Sequence, residues 1–555
     1  MQYGVMIREA KWTPSSAFLL VVLATMSSGQ IAAAAQFTAY FPLPSDVARG
    51  TAAIRSPLPP QTEAMAAGPY GQWQAYCSVW RKHHQEPSDA SVRVRLGIAS
   101  DQAAVSVSSG RSAAASMRLP LMDMRRVETE HFMLLSDAPQ ERASQVVRDL
   151  ERFYQVWTQL FFPLWKDREH WDRAEKSSRP RAAVKHRVVL FSNAARYAAV
   201  LRGVGPGVGQ SSGFYSDLKR ITFFHDDDGD DMATRFHEIT HQLMSEATDA
   251  KPRLRPGEQR DFWIVEGIAC YMESATFHED HATVGGWQAS RLQFARQRVL
   301  GLNDVMPLES LADEGRRAVQ QRQDLSRWYS FAAAYTHQLA DQDDGGGWTG
   351  VLQRLAQVYQ INPSALAVGL EPPVPQESLN EYLHLDDEQI EPVLHDRLAA
   401  LCLTRTAVTS AGLKKIASQR SLKWLDCSFL GIDSADVIRL SPRSSTIEQL
   451  SLEATRVDDL IGDWLADASQ LRELDLSSCS IGDAVIAKLP RAAPIETLWL
   501  TGSRVSDSSI DTIAAMATLQ RVDVQRSAVS EQGLARLRAA RNDLQINPLE
   551  VASPE

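Results

Sequence analysis

From about Arg126 the chain settles into alternating blocks of apolar and polar residues. VETEHFMLLSD reads as a strand. The next stretch places Val147, Leu150, Tyr154, Trp157 and Phe161 at helical spacing, which predicts a long amphipathic helix capped by Ser136 or Asp137. HRVVLFSN (186–193) is a second buried strand, AARYAAVLRG a short helix ended by Gly203, and GVGPGVGQSSG a loop. GFYSDLKRITFF predicts a strand or hairpin. A helix over 231–248 and another over 261–274 follow, and helical patterning continues to about Val368. Beyond the Pro-rich stretch LEPPVPQES the chain turns periodic. Leu398, Leu422, Ile447, Leu471, Ile495, Leu519 and Leu544 recur every 24 or 25 residues.

Each periodic unit reads L-x-x-L-x-L-x-x-T/S/C-x-V/I, as in LRELDLSSCSI and IETLWLTGSRV. That is the leucine-rich-repeat signature, in six near-complete units: alternate apolar residues make a short strand and the ninth position turns the chain inward. Leu430 occupies a ninth position, so an irregular turn is expected there. The positions expected on an exposed concave face include Trp424, Asp426, Glu473, Asp475 and Trp499. Two tryptophans on such a surface suit a protein partner.

At 555 residues the chain is too long for one compact domain. The expected division is a signal segment over 1–35, a low-complexity or linker region over 36–119 in which YGQWQAYCSVWRKHH forms a small structured element, a first domain over 120–370, a linker over 371–397 and repeats over 398–549. The net charge of −10 excludes a basic nucleic-acid binder. Arg8 and Lys11 precede the apolar run AFLLVVLATM and the small-residue site around Ala33 and Ala35, the pattern of a secretory signal cleaved after Ala35 or kept as an anchor. An exported protein is expected, membrane-bound only if that segment stays attached. The five cysteines are scattered and odd in number, which is no disulfide framework.

The chemistry gathers at RFHEITHQLM. His237 and His241, four apart on a helix, can aim ring nitrogens at one cation, while Glu238 lies one step round, placed to take a proton from water. A hydrolytic zinc needs a third protein ligand. Glu266 stands downstream in WIVEGIACYMES, with 24 residues between it and His241. HEITH and VEGIACYME together resemble the gluzincin metallopeptidases, and the wider order of elements over about 125–370 is similar to a family of exported bacterial peptidase-like proteins. The resemblance implies an α+β zincin-like domain ahead of an α/β leucine-rich-repeat solenoid. It implies one Zn2+ per chain on His237, His241 and Glu266, with Glu238 as general base and then acid, and Glu273 orienting a ligand histidine. Cys270 stands where thermolysin-like members carry an aspartate. Within SRWYSFAAAYTHQLAD the oxyanion donor is expected to be Tyr329, ahead of Tyr335 and His337. The expected function is an exported peptidase acting on peptides or proteins. The rival is a non-catalytic scaffold in which the repeats act and the metal domain is a relic.

Two other motifs are discounted. Asp226, Asp228 and Asp230 alternate as in a calcium loop, but the required glycine and glutamate positions hold Asp231 and His237. His278 and His281 lie three apart without further ligands.

Overall fold

The computed structural model describes residues 36–39, 54–55, 69–86, 88–96, 105–117, 119, 124–166, 171, 185–202, 211–227, 232–251, 254–277, 282–285, 289–341, 347–361, 378–390, 399–417, 419, 422–440, 446–490 and 493–547. The signal segment, Asp228–Asp231 and His278–His281 lie outside them. Among the described residues no helix is long and apolar enough to cross a membrane.

The fold is mixed α/β. A six-stranded sheet comprises β1 (Ser106–Ser109), β2 (Arg125–Glu128), β3 (Phe132–Ser136), β4 (His186–Phe191), β5 (Gly213–Ser216) and β6 (Ile221–His225), in the order β1-β2-β3-β4-β6-β5. β3, β4 and β6 run parallel, and β5 closes the edge antiparallel to β6. VETEHFMLLSD therefore forms two antiparallel strands rather than one. Alternation sorts the side chains: Leu134, Val188, Leu190 and Phe224 enter the large core on one face, while Leu135, Val189, Phe191 and Phe223 pack on the other. The large core is covered by α1 (Gln140–Leu160) and α2 (Met232–Glu246), whose Phe153 and Phe236 rings stack at 4.4 Å.

The expected cap of α1 is corrected. Pro139 is the N-cap and makes no side-chain cap bond. Ser136 instead donates to the Leu190 carbonyl, and Asp137 accepts the Ser192 amide. Both side chains tie β3 to β4.

Within 36–119, YGQWQAYCSVWRKHH does form a structured element, and it joins the main core. A helix over Pro69–Gln85 buries Trp73, Tyr76, Cys77 and Trp80 in the large core, and β1 belongs to the main sheet. Tyr76 stacks on Phe162 at 4.6 Å. The stretch 371–397 is not wholly a linker. The helix Leu379–Leu383 carries a complete Ser378/Glu381 capping box; Leu379 and Leu383 enter the large core, and Leu385 and Ile390 the core of the periodic region that follows.

The periodic region forms a seven-stranded parallel sheet in chain order, with strands beginning at Ala400, Trp424, Gln449, Glu473, Thr497, Arg521 and Gln545. Leu401, Leu425, Leu450, Leu474, Leu498 and Val522 stack in register through its core. After each of the first six strands one residue takes positive φ: Arg405, Phe429, Ala454, Ser478, Gly502 and Arg526, between 53° and 69°. The turn at Leu430 therefore keeps the common conformation. It lacks only the hydroxyl bond to the backbone that Thr406, Thr455 and Ser527 make.

The two tryptophans are not exposed. Trp424 is 2% accessible and Trp499 3%. Trp424 stacks on Phe294, and Trp499 Nε1 lies back along the sheet to donate to Glu473 Oε1 at 3.3 Å. Asp426 and Asp475 beside them are buried too. Burial raises the carboxyl pKa of Glu473 from 4.5 to about 7 and that of Asp426 from 3.8 to about 6. Each binds its proton more tightly folded than unfolded, so folding takes up protons between the two values. The thermal midpoint of this region is expected to rise as pH falls from about 7.5 to about 5, and Glu473→Gln to flatten much of that slope. A midpoint that falls over the same window in the wild type contradicts this reading.

Candidate metal centre

Four helices build the site. α2 is anchored at its start by Arg235, whose guanidinium meets Asp226 at 3.1 Å; Arg142 of α1 reaches the same carboxylate at 2.8 Å. Its far end is held by Glu246, 2.8 Å from His186 Nδ1. α3 (Phe262–Met272) is buried on all sides. It packs against α5 (Leu325–Ala340), with α4 (Ser290–Arg296) alongside. Gly267 permits that approach, since a Cβ there would lie 2.1 Å from Thr336 Oγ1 and 2.6 Å from the Ala332 carbonyl oxygen.

The geometry brings His237, His241 and Glu266 together. The two Nε2 atoms are 3.1 Å apart, and Glu266 Oε2 lies 3.3 Å from that of His237 and 3.4 Å from that of His241. A tetrahedral ion with bonds of about 2.0–2.1 Å separates its donor atoms by about 3.3–3.4 Å. Two histidine nitrogens and a carboxylate oxygen at this spacing form a donor set that zinc accepts, and all three side chains are largely buried.

The supporting groups are equally specific. His237 Nδ1 lies 2.8 Å from Glu273 Oε1, so its N–H points to that carboxylate and Nε2 is left facing Glu266. Burial alone would lower the His237 pKa; Cys270, Glu266 and Glu273 outweigh it and hold the ring well above its ordinary value. Glu266 goes the other way. Burial works against its charge, but the adjacent His241 and His237 keep it well below the usual carboxylate range. A second group of donors, His237, Cys270 and Glu273, shares one histidine with the first. Burial pushes the Cys270 thiol above its ordinary value, whereas Glu266 in the first group is held charged by the two histidines.

Glu238 turns toward the sheet edge, where its Oε2 accepts the Tyr215 amide of β5 at 2.8 Å. Of the three expected oxyanion donors only Tyr329 borders the trio, its ring centroid 6.3 Å from that of His237. Burial, reinforced by the charge of Glu266, raises its hydroxyl well above the ordinary value and keeps it a donor. Tyr335 donates its hydroxyl to the Met306 carbonyl at 3.0 Å, and His337 packs against Tyr271. Arg291 of α4 was not anticipated from sequence. Its Nε lies 2.9 and 3.0 Å from the Glu273 oxygens, and its guanidinium sits 4.9 Å over the Tyr329 ring. No local spacing marks it, because α4 meets Glu273 only through the fold.

No protein-family model matches the chain, and no curated protein does. Among solved structures it is similar to an LRR protein of Leptospira interrogans, with 17% identity and a TM-score of 0.20 over 27% of this chain. The match spans 49%, about half, of that protein's length.

Proposed function

We propose that this chain is an exported zinc-dependent peptidase of gluzincin type, with a zincin-like domain followed by leucine-rich repeats that dock substrate or partner. The observation that carries the reading is the convergence of His237 Nε2, His241 Nε2 and Glu266 Oε2 at 3.1–3.4 Å, with Glu238 on the same helix turned toward a sheet edge. Zinc, when bound by these three residues, supplies a Lewis acid for the scissile carbonyl and acidifies a water.

The chain's own groups do the rest. Glu238 takes the water's proton and later passes it to the leaving amine. The Tyr329 hydroxyl donates to the oxyanion that develops on the carbonyl. Glu273 keeps the His237 ring turned so that Nε2 faces the metal. An extended peptide paired with the outer edge of β5 would run beside Glu238, because the Tyr215 amide on that edge already points to the Glu238 carboxylate.

The test uses a diverse peptide mixture incubated with the mature wild type and with Glu238→Gln, new termini being read by mass spectrometry. The wild type is expected to cleave, and the variant to lose at least about 100-fold in rate while holding equal zinc. A folded, zinc-loaded wild type that cleaves nothing favours the scaffold reading. Equal cleavage by both removes Glu238 as the base.

A further inference from the structure

Helix α4 touches both halves of the chain. On one side Arg291 binds the Glu273 carboxylate through Nε and covers the face of Tyr329. On the other, Phe294 stacks on Trp424 with centroids 5.0 Å apart and planes 21° from parallel, and Gln293 Oε1 accepts the Cys402 amide at 2.9 Å. Both partners lie on the first two strands of the parallel sheet. The helix then runs into a π-turn over Gln297–Gly301, and Arg296 Nε donates to the Leu383 carbonyl.

We infer that Arg291 is a positioning residue for the metal centre and that its placement is set by the docking of α4 on the parallel sheet. The repeat region is then a working support of the site and not only an appended binding surface. This rests on the zinc reading given above.

Glu273 orients His237, and Glu273 Oε1 is shared between His237 Nδ1 and Arg291 Nε. Without the guanidinium, Glu273 is a buried carboxylate with the ligand histidine as its main remaining partner, and the bond that fixes the ring loses its anchor. The same guanidinium sets the Tyr329 ring by a cation–π contact. One side chain thus orients a metal ligand and the expected oxyanion donor. Lysine cannot replace it, having neither the planar fork nor the stacking face.

Arg291 is held in turn by the packing of α4. α4 has seven residues and no side-chain cap, far too short to stand alone. It is clamped between α5 and the sheet, with Phe294 and Gln293 gripping one jaw. Loosening that jaw moves the helix, and the metal centre registers it although neither Phe294 nor Trp424 is among the ligands.

The experiment takes the full chain as wild type, Arg291→Lys, Phe294→Ala, the milder Phe294→Leu, and Leu498→Ala as a control in the fifth strand of the parallel sheet. Zinc affinity is read by chelator competition, and ligand geometry by the visible spectrum of the cobalt-substituted protein. Arg291→Lys and the Phe294 variants are expected to bind zinc about tenfold more weakly and to alter the cobalt spectrum. Leu498→Ala should lower the melting midpoint and leave both readouts at wild-type values. If the alanine variant at 294 does not fold, the leucine variant decides. Phe294 variants that lose stability but keep affinity and spectrum overturn the coupling, and a wild-type Arg291→Lys overturns the positioning role. A wild type that takes up neither metal overturns the zinc reading itself, a failure that is separate and visible first.

Discussion

Glu266→Ala is expected to lower zinc affinity by at least about 1,000-fold, more than the 10–100-fold typical of losing an outer partner of a ligand. The carboxylate sits between both imidazoles, and without it two histidines are left where a hydrolytic site needs three protein ligands. The metal-free fold should suffer far less. Glu273 still pairs with His237, and α3 keeps its apolar contacts on all sides. The two effects separate in a thermal titration. Zinc at 100 times its Kd should stabilise the wild type by about 2.7 kcal/mol, and the same concentration should leave the variant's midpoint unmoved. Equal zinc-induced shifts in the two proteins would remove Glu266 from the ligand set.

Gly267→Ala should be the most damaging single methyl in the site. Its Cβ would lie 2.1 Å from Thr336 Oγ1 and 2.6 Å from a backbone carbonyl, and the carbonyl has no rotamer by which to withdraw. α3 and α5 must part instead. Overpacking of a tight core costs about 1–3 kcal/mol, and a backbone clash belongs at the upper end of that range. Glu266 is the neighbouring residue, so the shift also carries a ligand away from the two histidines, and zinc affinity should fall with stability. Adding Thr336→Ala removes one of the two clashes and should recover part of each loss. A single variant within about 0.5 kcal/mol of wild type in denaturant unfolding, with unchanged zinc affinity, would show that the helices are not held this closely.

Much of this was readable from local pattern, and the reasons for the failures are physical. The 24–25 residue period is carried by buried leucines in register, so it survives in the strand positions. HEITH is legible from residue type and helical spacing, and Glu266 only from the resemblance that VEGIACYME carries; the fold brings the three side chains together. Trp73, Tyr76, Cys77 and Trp80 do stand at helical spacing, but Ala- and Ser-rich surroundings concealed that their face belongs to the main core. Alternation along a repeat strand tells which side chains point away from the repeat core; it does not tell what covers them. Phe294, more than a hundred residues earlier, covers Trp424. The same limit hid Arg291. Ser136 and Asp137 have the chemistry of caps, yet the helix begins only at Gln140, and their side chains bond to β4 and its following turn.

The claim on which the rest depends is that one zinc ion sits among His237, His241 and Glu266. Anomalous diffraction from zinc-grown crystals, recorded on both sides of the zinc absorption edge, tests it most directly. A single peak about 2 Å from both Nε2 atoms and the Glu266 carboxylate is the predicted result. A peak on Cys270 and Glu273 instead, or none from crystals that show the trio ordered, would contradict it.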